Sequence, residues 1–193
     1  MKSILLAALM AFMATAYAQT GTISADEHKF ITDYLKRTEA DLSKLISSMD
    51  ERLWSKKPSL EVWSPAECTE HVLLAESGLI KQIKTALNET ADDDDLRSND
   101  AWLISKISDR GVKVKTPLEP QEGSISQKEA LKKLKASRKE ILDFLQDESL
   151  ELRTHYGRSP YGKADVYQLF IVIAAHSMRH TAQMQEILTA LKS

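Results

Sequence analysis

A long apolar segment near the C-terminus limits the folds open to this chain. Its core positions recur at steps of three and four, the spacing of one face of an amphipathic α-helix. Two histidines stand in that stripe in place of aliphatic side chains: Leu169, Ile173, His176, His180, Met184, Ile187 and Leu191. Burying a polar group without a partner costs a few kcal/mol. The segment therefore predicts a helix inside a helical core, with two imidazoles that need partners there.

The composition favours one α-helical domain over a β-sandwich or barrel. The 193 residues suffice for a single domain, 42% are hydrophobic, and only 6 Gly and 5 Pro interrupt the chain. The net charge is −2, and acids and bases are mixed along the chain without the basic stripe typical of nucleic-acid binding. We therefore expect no nucleic-acid partner. A single cysteine excludes an internal disulfide framework.

Residues 1–18 are predicted to be a secretory signal peptide that is not part of the fold. A positive charge precedes an apolar run over 4–13, and the tripeptide Ala-Tyr-Ala that ends at Ala18 matches the small-x-small cleavage rule. The run is shorter than the roughly 20 residues that span a bilayer, so we expect no stable membrane insertion after the signal is removed. Cleavage after Ala18 would leave 19–193 as one domain, either periplasmic or secreted.

Four long amphipathic segments predict an all-α fold, a four-helix bundle with long crossover connections. The first three begin with a serine that is followed three residues later by a glutamate, which is the signature of a capping box. These serines are Ser24, Ser64 and Ser126, and Pro65 adds the residue favoured at the first helical position. The fourth helix is predicted over about 165–191.

The connections between these helices are predicted to be mostly irregular. The polar loop at 88–100 contains four consecutive aspartates but lacks the alternating ligands and central glycine of an EF-hand. We expect a solvated loop there and no calcium site. A short helix at 102–108 leads into a crossover at 111–123. The segment 150–163, which contains glycine and proline, forms the last connection.

His176 and His180 are four residues apart, so they lie on one helix face about 6 Å apart along the axis. Both can approach one metal ion at roughly 2.1 Å from each nitrogen. Two imidazoles alone make a weak site, so another helix must supply a third ligand, for which His71 is the candidate. The alternative is a pair of neutral core histidines hydrogen-bonded to neighbours, and periodicity alone leaves both open. His28 and His155 are expected at the surface.

Other metal-site templates fit this sequence poorly. The zincin signature requires Glu directly after its first histidine, where this chain has Ser177. Di-iron bundles require Glu-x-x-His, and no histidine here has Glu three residues before it. No Cys-x-x-Cys-His haem-attachment site occurs either.

Two motifs on separate helices occur together in this chain. They are Trp63-Ser64-Pro65-Ala66-Glu67 followed by His71, and His176-x-x-x-His180-x-x-Gln183. In order and spacing they resemble the DinB/YfiT-like family of metal-binding four-helix bundles, and the resemblance covers roughly 24–191. In that family one histidine of the second helix and two of the fourth bind a divalent metal, often zinc or nickel. The resemblance implies a metal site made of His71, His176 and His180.

Two further residues are candidates for supporting this site. Gln183 continues the face of His176 and His180, where it either holds a ligand or a bound water, or caps the polar end of the pocket. Cys68 lies one turn before His71 and could face the same cavity as a ligand or nucleophile. A small buried residue is the favoured interpretation of Cys68. No residue is assigned as catalytic.

Two functions are consistent with such a site. Three neutral imidazoles leave a coordination position open for water or a small-molecule substrate. The resemblance implies a metal-dependent transferase or hydrolase, since characterised relatives include transferases that use low-molecular-weight thiols. Those thiols are cytosolic, so export points instead to hydrolysis or to another nucleophile. The alternative is a non-catalytic metal-binding or stress-related module, favoured by the absence of a clear general base. By analogy with the family, a homodimer is also expected.

Overall fold

The computed structural model describes residues 21–92, 98–113, 118–120 and 125–192. Its elements in chain order are helices α1 (Ala25–Ser48), α2 (Glu51–Trp54), α3 (Pro65–Ala86), α4 (Asp100–Ser108) and α5 (Gln127–Phe144), strands β1 (Tyr156–Ser159) and β2 (Gly162–Asp165), and helix α6 (Val166–Ala190). The predicted signal peptide and three of the four consecutive aspartates lie outside the described residues. Within them, no helix has both the length and the apolar character needed to cross a bilayer.

The four long helices form a ring in which each one packs against two others. Helix α1 contacts α6, α6 contacts α3, α3 contacts α5, and α5 contacts α1. Helix α4 also packs against α6, because the apolar surface of α6 extends around most of its circumference. A helix of that kind has to be covered on several sides. The predicted four-helix bundle with long connections is confirmed.

The predicted helix starts agree with the structure, with one partial exception. Ser24 and Ser64 each form a complete capping box with the glutamate three residues later. At Ser126 only half of the box forms. The Ser126 hydroxyl accepts a hydrogen bond from the Glu129 backbone N–H, but the Glu129 carboxylate does not bond back to the Ser126 backbone. The Glu129 carboxylate instead pairs with Lys133, one turn further along, at 2.9 Å. Pairs at this spacing stabilise a helix modestly, which is enough to compete with the second half of the box.

The connection at 150–163 differs from the prediction because it contains a β-hairpin. Strands β1 and β2 are antiparallel, with Tyr156 opposite Asp165 and Ser159 opposite Gly162. Gly162 has a φ of +115°, a conformation that glycine adopts without steric strain. Four-residue strands show too little alternation to be recognised in sequence. The hairpin leads directly into α6, since Asp165 is both the last residue of β2 and the N-cap of that helix.

His28 and His155, expected at the surface, are partly buried instead. His28 Nε2 lies 2.6 Å from the carbonyl oxygen of Leu145, at the end of α5. His155 Nδ1 lies 3.0 Å from the carbonyl oxygen of Ala86, at the end of α3. Carbonyl groups at helix C-termini lack helical partners and attract such donors. These contacts explain both histidines without a metal.

A buried arginine joins the starts of three helices. The Arg153 guanidinium lies 2.5 Å from a carboxylate oxygen of Glu27 in α1, 2.8 Å from Asp100 in α4 and 2.9 Å from Asp165 at the cap of α6. It also lies over the Tyr167 ring, 3.9 Å from the ring centroid. A guanidinium offers five donors in a planar fork and so can bind several carboxylates at once. Arg153 thereby fixes one end of the bundle.

Candidate metal centre

Two neighbouring helices bring together all three histidines that were predicted to form a site. His71 lies in the second turn of α3, which begins at Pro65 behind the Ser64 capping box. His176 and His180 lie one turn apart on α6. Because α3 packs along α6, their side chains meet between the two helices. His71 and His180 are buried and His176 is partly buried.

The Nε2 atoms of the three rings are close enough to share one ion. His176 Nε2 lies 3.2 Å from His71 Nε2 and 3.1 Å from His180 Nε2. The ligand atoms of the three residues all lie within 4.8 Å of one another. Two nitrogens bound to a tetrahedral zinc ion at its usual distance stand about 3.4 Å apart. The spacing therefore fits a single divalent ion with a fourth position left for another ligand.

The ring of His71 has a defined tautomer. Its Nδ1 lies 2.8 Å from the carbonyl oxygen of Leu118, so Nδ1 carries the proton and donates to that carbonyl. The lone pair of His71 is therefore on Nε2, which faces the other two rings. By contrast, the buried Nδ1 atoms of His176 and His180 have no hydrogen-bond partner among the described residues. Hydrogen bonds to neighbouring groups in the described part of the chain therefore leave the Nδ1 atoms of His176 and His180 unsatisfied.

Burial keeps all three imidazoles neutral. It lowers the pKa of His176 to about 3 and that of His180 to about 2, and the neighbouring rings and arginines add to the effect. Burial also lowers the pKa of His71, against the opposing influence of its hydrogen bond to Leu118. A neutral imidazole offers the lone pair that a metal ion requires. The donor set therefore fits a divalent metal in chemistry as well as in spacing.

Trp63 forms an aromatic wall beside the histidines, a role that the sequence alone did not indicate. Its ring centroid lies 5.0 Å from that of His71 and 6.3 Å from that of His180. The indole and the His180 imidazole are nearly parallel, with an interplanar angle of 21°. The signal available in the sequence was the position of Trp63 directly before the Ser64 N-cap, where an apolar residue often packs back onto its helix.

Arg179 supports the connection that follows α4. Its guanidinium donates to the backbone carbonyls of Ile107, Asp109 and Val112. Carbonyl groups at and beyond a helix end have no helical partners, so one arginine satisfies three of them. The same connection carries the Leu118 carbonyl that orients the α3 histidine. Arg179 is thus a structural support close to the site and not a residue with a free guanidinium.

Cys68, one of the two candidate supporting residues, does not join the group of ligand atoms formed by the three histidines. Cys68 is fully buried in an apolar cluster that includes Val72 and Met184. Burial raises the pKa of its thiol to about 12, so the thiolate is strongly disfavoured. Gln183, the other candidate, is partly buried. No cysteine sulfur or carboxylate of the described residues joins the group formed by the three rings.

Comparison with known proteins agrees with this architecture. Residues 34–184 match the family model of the DinB superfamily. Among solved structures, YfiT from Bacillus subtilis matches with a TM-score of 0.59 and 15% sequence identity, over 89% of this chain and 91% of that one. At this identity the likeness shows a shared fold. A search of curated proteins gave no match. The family match covers most of the sequence, and the chain therefore belongs to the DinB superfamily.

Proposed function

We propose that this protein is an exported, metal-dependent hydrolase of a small molecule, with His71, His176 and His180 as the metal ligands. The observation that carries the proposal is the close approach of three neutral imidazoles. The Nε2 atom of His176 lies 3.2 Å from that of His71 and 3.1 Å from that of His180. The structurally similar YfiT is described as a probable metal-dependent hydrolase, which supports the same class of reaction here.

Some residues of the site would bind the metal ion, and others orient the histidine rings. When bound, a divalent ion supplies Lewis acidity to a substrate carbonyl and acidifies water. The three imidazoles hold it and leave a position for substrate or water. The Leu118 carbonyl fixes the tautomer of His71, and Trp63 packs beside the rings of His71 and His180.

Hydrolysis fits the surroundings of the site better than attack by a residue of the protein. The Cys68 thiol is buried and its pKa is raised to about 12, so it is a poor nucleophile. The attacking group then comes from solvent or from a second substrate. A thiol from solution would make the protein an S-transferase, whereas export to a compartment without cytosolic thiols favours water.

A non-catalytic metal-binding module is the second candidate. It is favoured by the absence of any carboxylate from the group of ligand atoms in the described residues, because a hydrolase usually has a general base within reach of its nucleophile. Zinc and nickel are the metals we propose for either function, since imidazole nitrogens suit both.

The test is metal analysis combined with hydrolysis assays on the exported protein. We expect about one zinc or nickel ion per chain, and turnover of some members of a panel of small esters and amides. His176→Ala should lose both metal and turnover, whereas His155→Ala should keep both because the His155 ring lies against the Ala86 carbonyl and is outside the three-histidine group. Equal metal content in the two variants would contradict the proposed site. Metal binding without turnover, including thiol transfer, would favour the non-catalytic module.

Export and assembly are separate proposals with their own tests. We expect the protein in the periplasm or medium with Gln19 at its N-terminus, as found by fractionation and N-terminal sequencing. An intact N-terminus in the cytosol would contradict export. Light scattering after size-exclusion chromatography tests the proposed homodimer.

A further inference from the structure

Two of the three imidazoles at the candidate site lack the support that metal-binding histidines usually have. Such a histidine normally donates its second ring N–H to a carbonyl or carboxylate, which fixes the plane of the ring. His71 has this support from Leu118 at 2.8 Å. The buried Nδ1 atoms of His176 and His180 have no such partner in the described chain. Something else must hold these rings in their orientation.

The Trp63 indole is placed to hold one of them. It lies nearly parallel to the His180 ring, at 21° and a centroid distance of 6.3 Å. The same indole contacts His71, with centroids 5.0 Å apart. Packing between aromatic rings restricts rotation about the side-chain bonds, and it does so without a hydrogen bond.

The backbone beside Trp63 is itself held firmly. Ser64, the next residue, is buried, and its N–H donates to the Glu67 carboxylate at 2.6 Å. Glu67 is in turn paired with Lys57 at 2.8 Å. A capping box of this kind restrains the chain at the start of a helix. The indole is therefore attached to a rigid anchor, and not to a loop that could swing it away.

We propose that Trp63 is a positioning residue that fixes the ring planes of His180 and His71 for metal binding. It acts where an Nδ1 hydrogen bond acts in other histidine sites. This inference rests on the three-histidine site of the proposed function. It concerns the affinity and geometry of the site, and it holds whether or not the bound metal catalyses a reaction.

The test compares Trp63→Leu, which removes the aromatic ring, with Trp63→Phe, which restores one. Loss of a supporting partner typically weakens metal binding by roughly 10- to 100-fold. We expect the zinc dissociation constant of Trp63→Leu to rise by about tenfold and the visible absorption bands of its cobalt(II) form to shift. Trp63→Phe should recover most of the affinity and the wild-type bands. Trp102→Phe, at an exposed tryptophan, is the matched control and should change neither.

A purely structural role for Trp63 gives a different result. Thermal unfolding of the metal-free Trp63→Leu protein would then change, while its zinc affinity and cobalt spectrum stayed at wild-type values. That result would overturn the inference and leave the proposed function intact. Metal binding without hydrolysis would contradict the proposed hydrolase function and leave the inference about Trp63 intact. A wild-type protein that binds no zinc or cobalt would overturn both.

A fluorescence measurement that does not need Trp63→Leu covers the case in which that variant does not fold. Cobalt(II) or nickel(II) bound by the three imidazoles would lie within a few ångströms of the indole and should quench its fluorescence. We expect this quenching to be largely lost in Trp63→Phe and retained in Trp102→Phe. Quenching that is the same in all three proteins would show that Trp63 is not beside the metal, and would overturn the inference.

Discussion

Arg138 of α5 and Glu76 of α3 form an ion pair of 2.6 Å in which the side chains are only 0% and 1% exposed. Ser177 of α6 joins them, with its hydroxyl oxygen 2.5 Å from Arg138 Nη2 and 3.0 Å from Glu76 Oε1. Ser177 directly follows His176 in the sequence. A polar network between three helices therefore lies immediately beside the candidate metal centre.

Removing the cation of this network should destabilise the fold strongly. Arg138→Leu would leave the Glu76 carboxylate buried without its partner, which typically costs about 3–5 kcal/mol. Urea unfolding at pH 7 measures the loss. Lys139→Leu is the control, since Lys139 and its partner Asp143 are exposed and such pairs contribute about 1 kcal/mol or less. Similar losses in both variants would show that the buried pair has no special weight.

Zinc should stabilise the folded protein through the three histidines. A ligand that binds only the folded state at 100 times its dissociation constant adds about 2.7 kcal/mol to the free energy of unfolding. We expect a higher Tm with zinc for the wild-type protein and for His28→Ala, because the His28 ring lies against the Leu145 carbonyl and is outside the three-histidine group. His180→Ala should show no zinc-dependent shift. A shift of equal size in that variant would place the zinc elsewhere.

The stability of the metal-free protein should fall as the pH drops from 7 to 5. The pKa of His176 is lowered to about 3 and that of His180 to about 2, whereas an unfolded histidine titrates near 6.5. Below pH 6.5 the unfolded chain thus binds protons that the folded chain does not, so acid favours unfolding. The slope is at most roughly 1.4 kcal/mol per pH unit for each histidine.

Urea midpoints measured in the presence of a chelator across this pH range test that slope. His180→Gln removes one of the buried rings whose pKa is lowered in the folded state, and it should flatten the pH dependence of the free energy of unfolding. An identical slope in wild-type and variant would mean that His180 is protonated to the same extent in the folded and unfolded states.

Two glycines should respond to alanine in opposite directions. A Cβ at Gly157 would lie 2.9 Å from Leu169 Cδ1 and 3.0 Å from Gln82 Cδ, so Gly157→Ala should lower stability by about 1–3 kcal/mol. Gly78, in the middle of α3, has open space around it. Gly78→Ala should raise stability by about 0.5–1 kcal/mol because alanine is the better helix former. Thermal unfolding that moves both variants in the same direction would contradict this pair of predictions.

Much of the bundle was predictable because its signals are local. Ser24 and Ser64 each begin a four-residue capping-box motif that predicts a helix start. The stripe containing His176 and His180 is a periodic pattern within one helix. These features depend on neighbouring residues along the chain. The hairpin was not predicted because it lacks such a local signal. Its strands are very short, and it is defined by pairing between them, as of Tyr156 with Asp165.

The parts of the site that were not predicted depend on contacts between distant segments. The Leu118 carbonyl supports a histidine 47 positions away, and Glu76 lies 62 positions from Arg138. A polar residue such as Glu76 is expected at the surface when its helix is considered alone. Its burial becomes understandable only once α5 supplies the opposite charge.

Arg153 gives the bundle a further property through its contacts at 2.5, 2.8 and 2.9 Å with the starts of α1, α4 and α6. A helix end normally frays on its own, but these three share a single cation. Each of the three carboxylates depends on the position of the same Arg153 guanidinium. If that guanidinium moves away, all three helix starts lose their ion pair together, so the ends should open as one cooperative unit. Native-state hydrogen exchange would then give the first turns of all three helices a common opening free energy, although they are far apart in the chain.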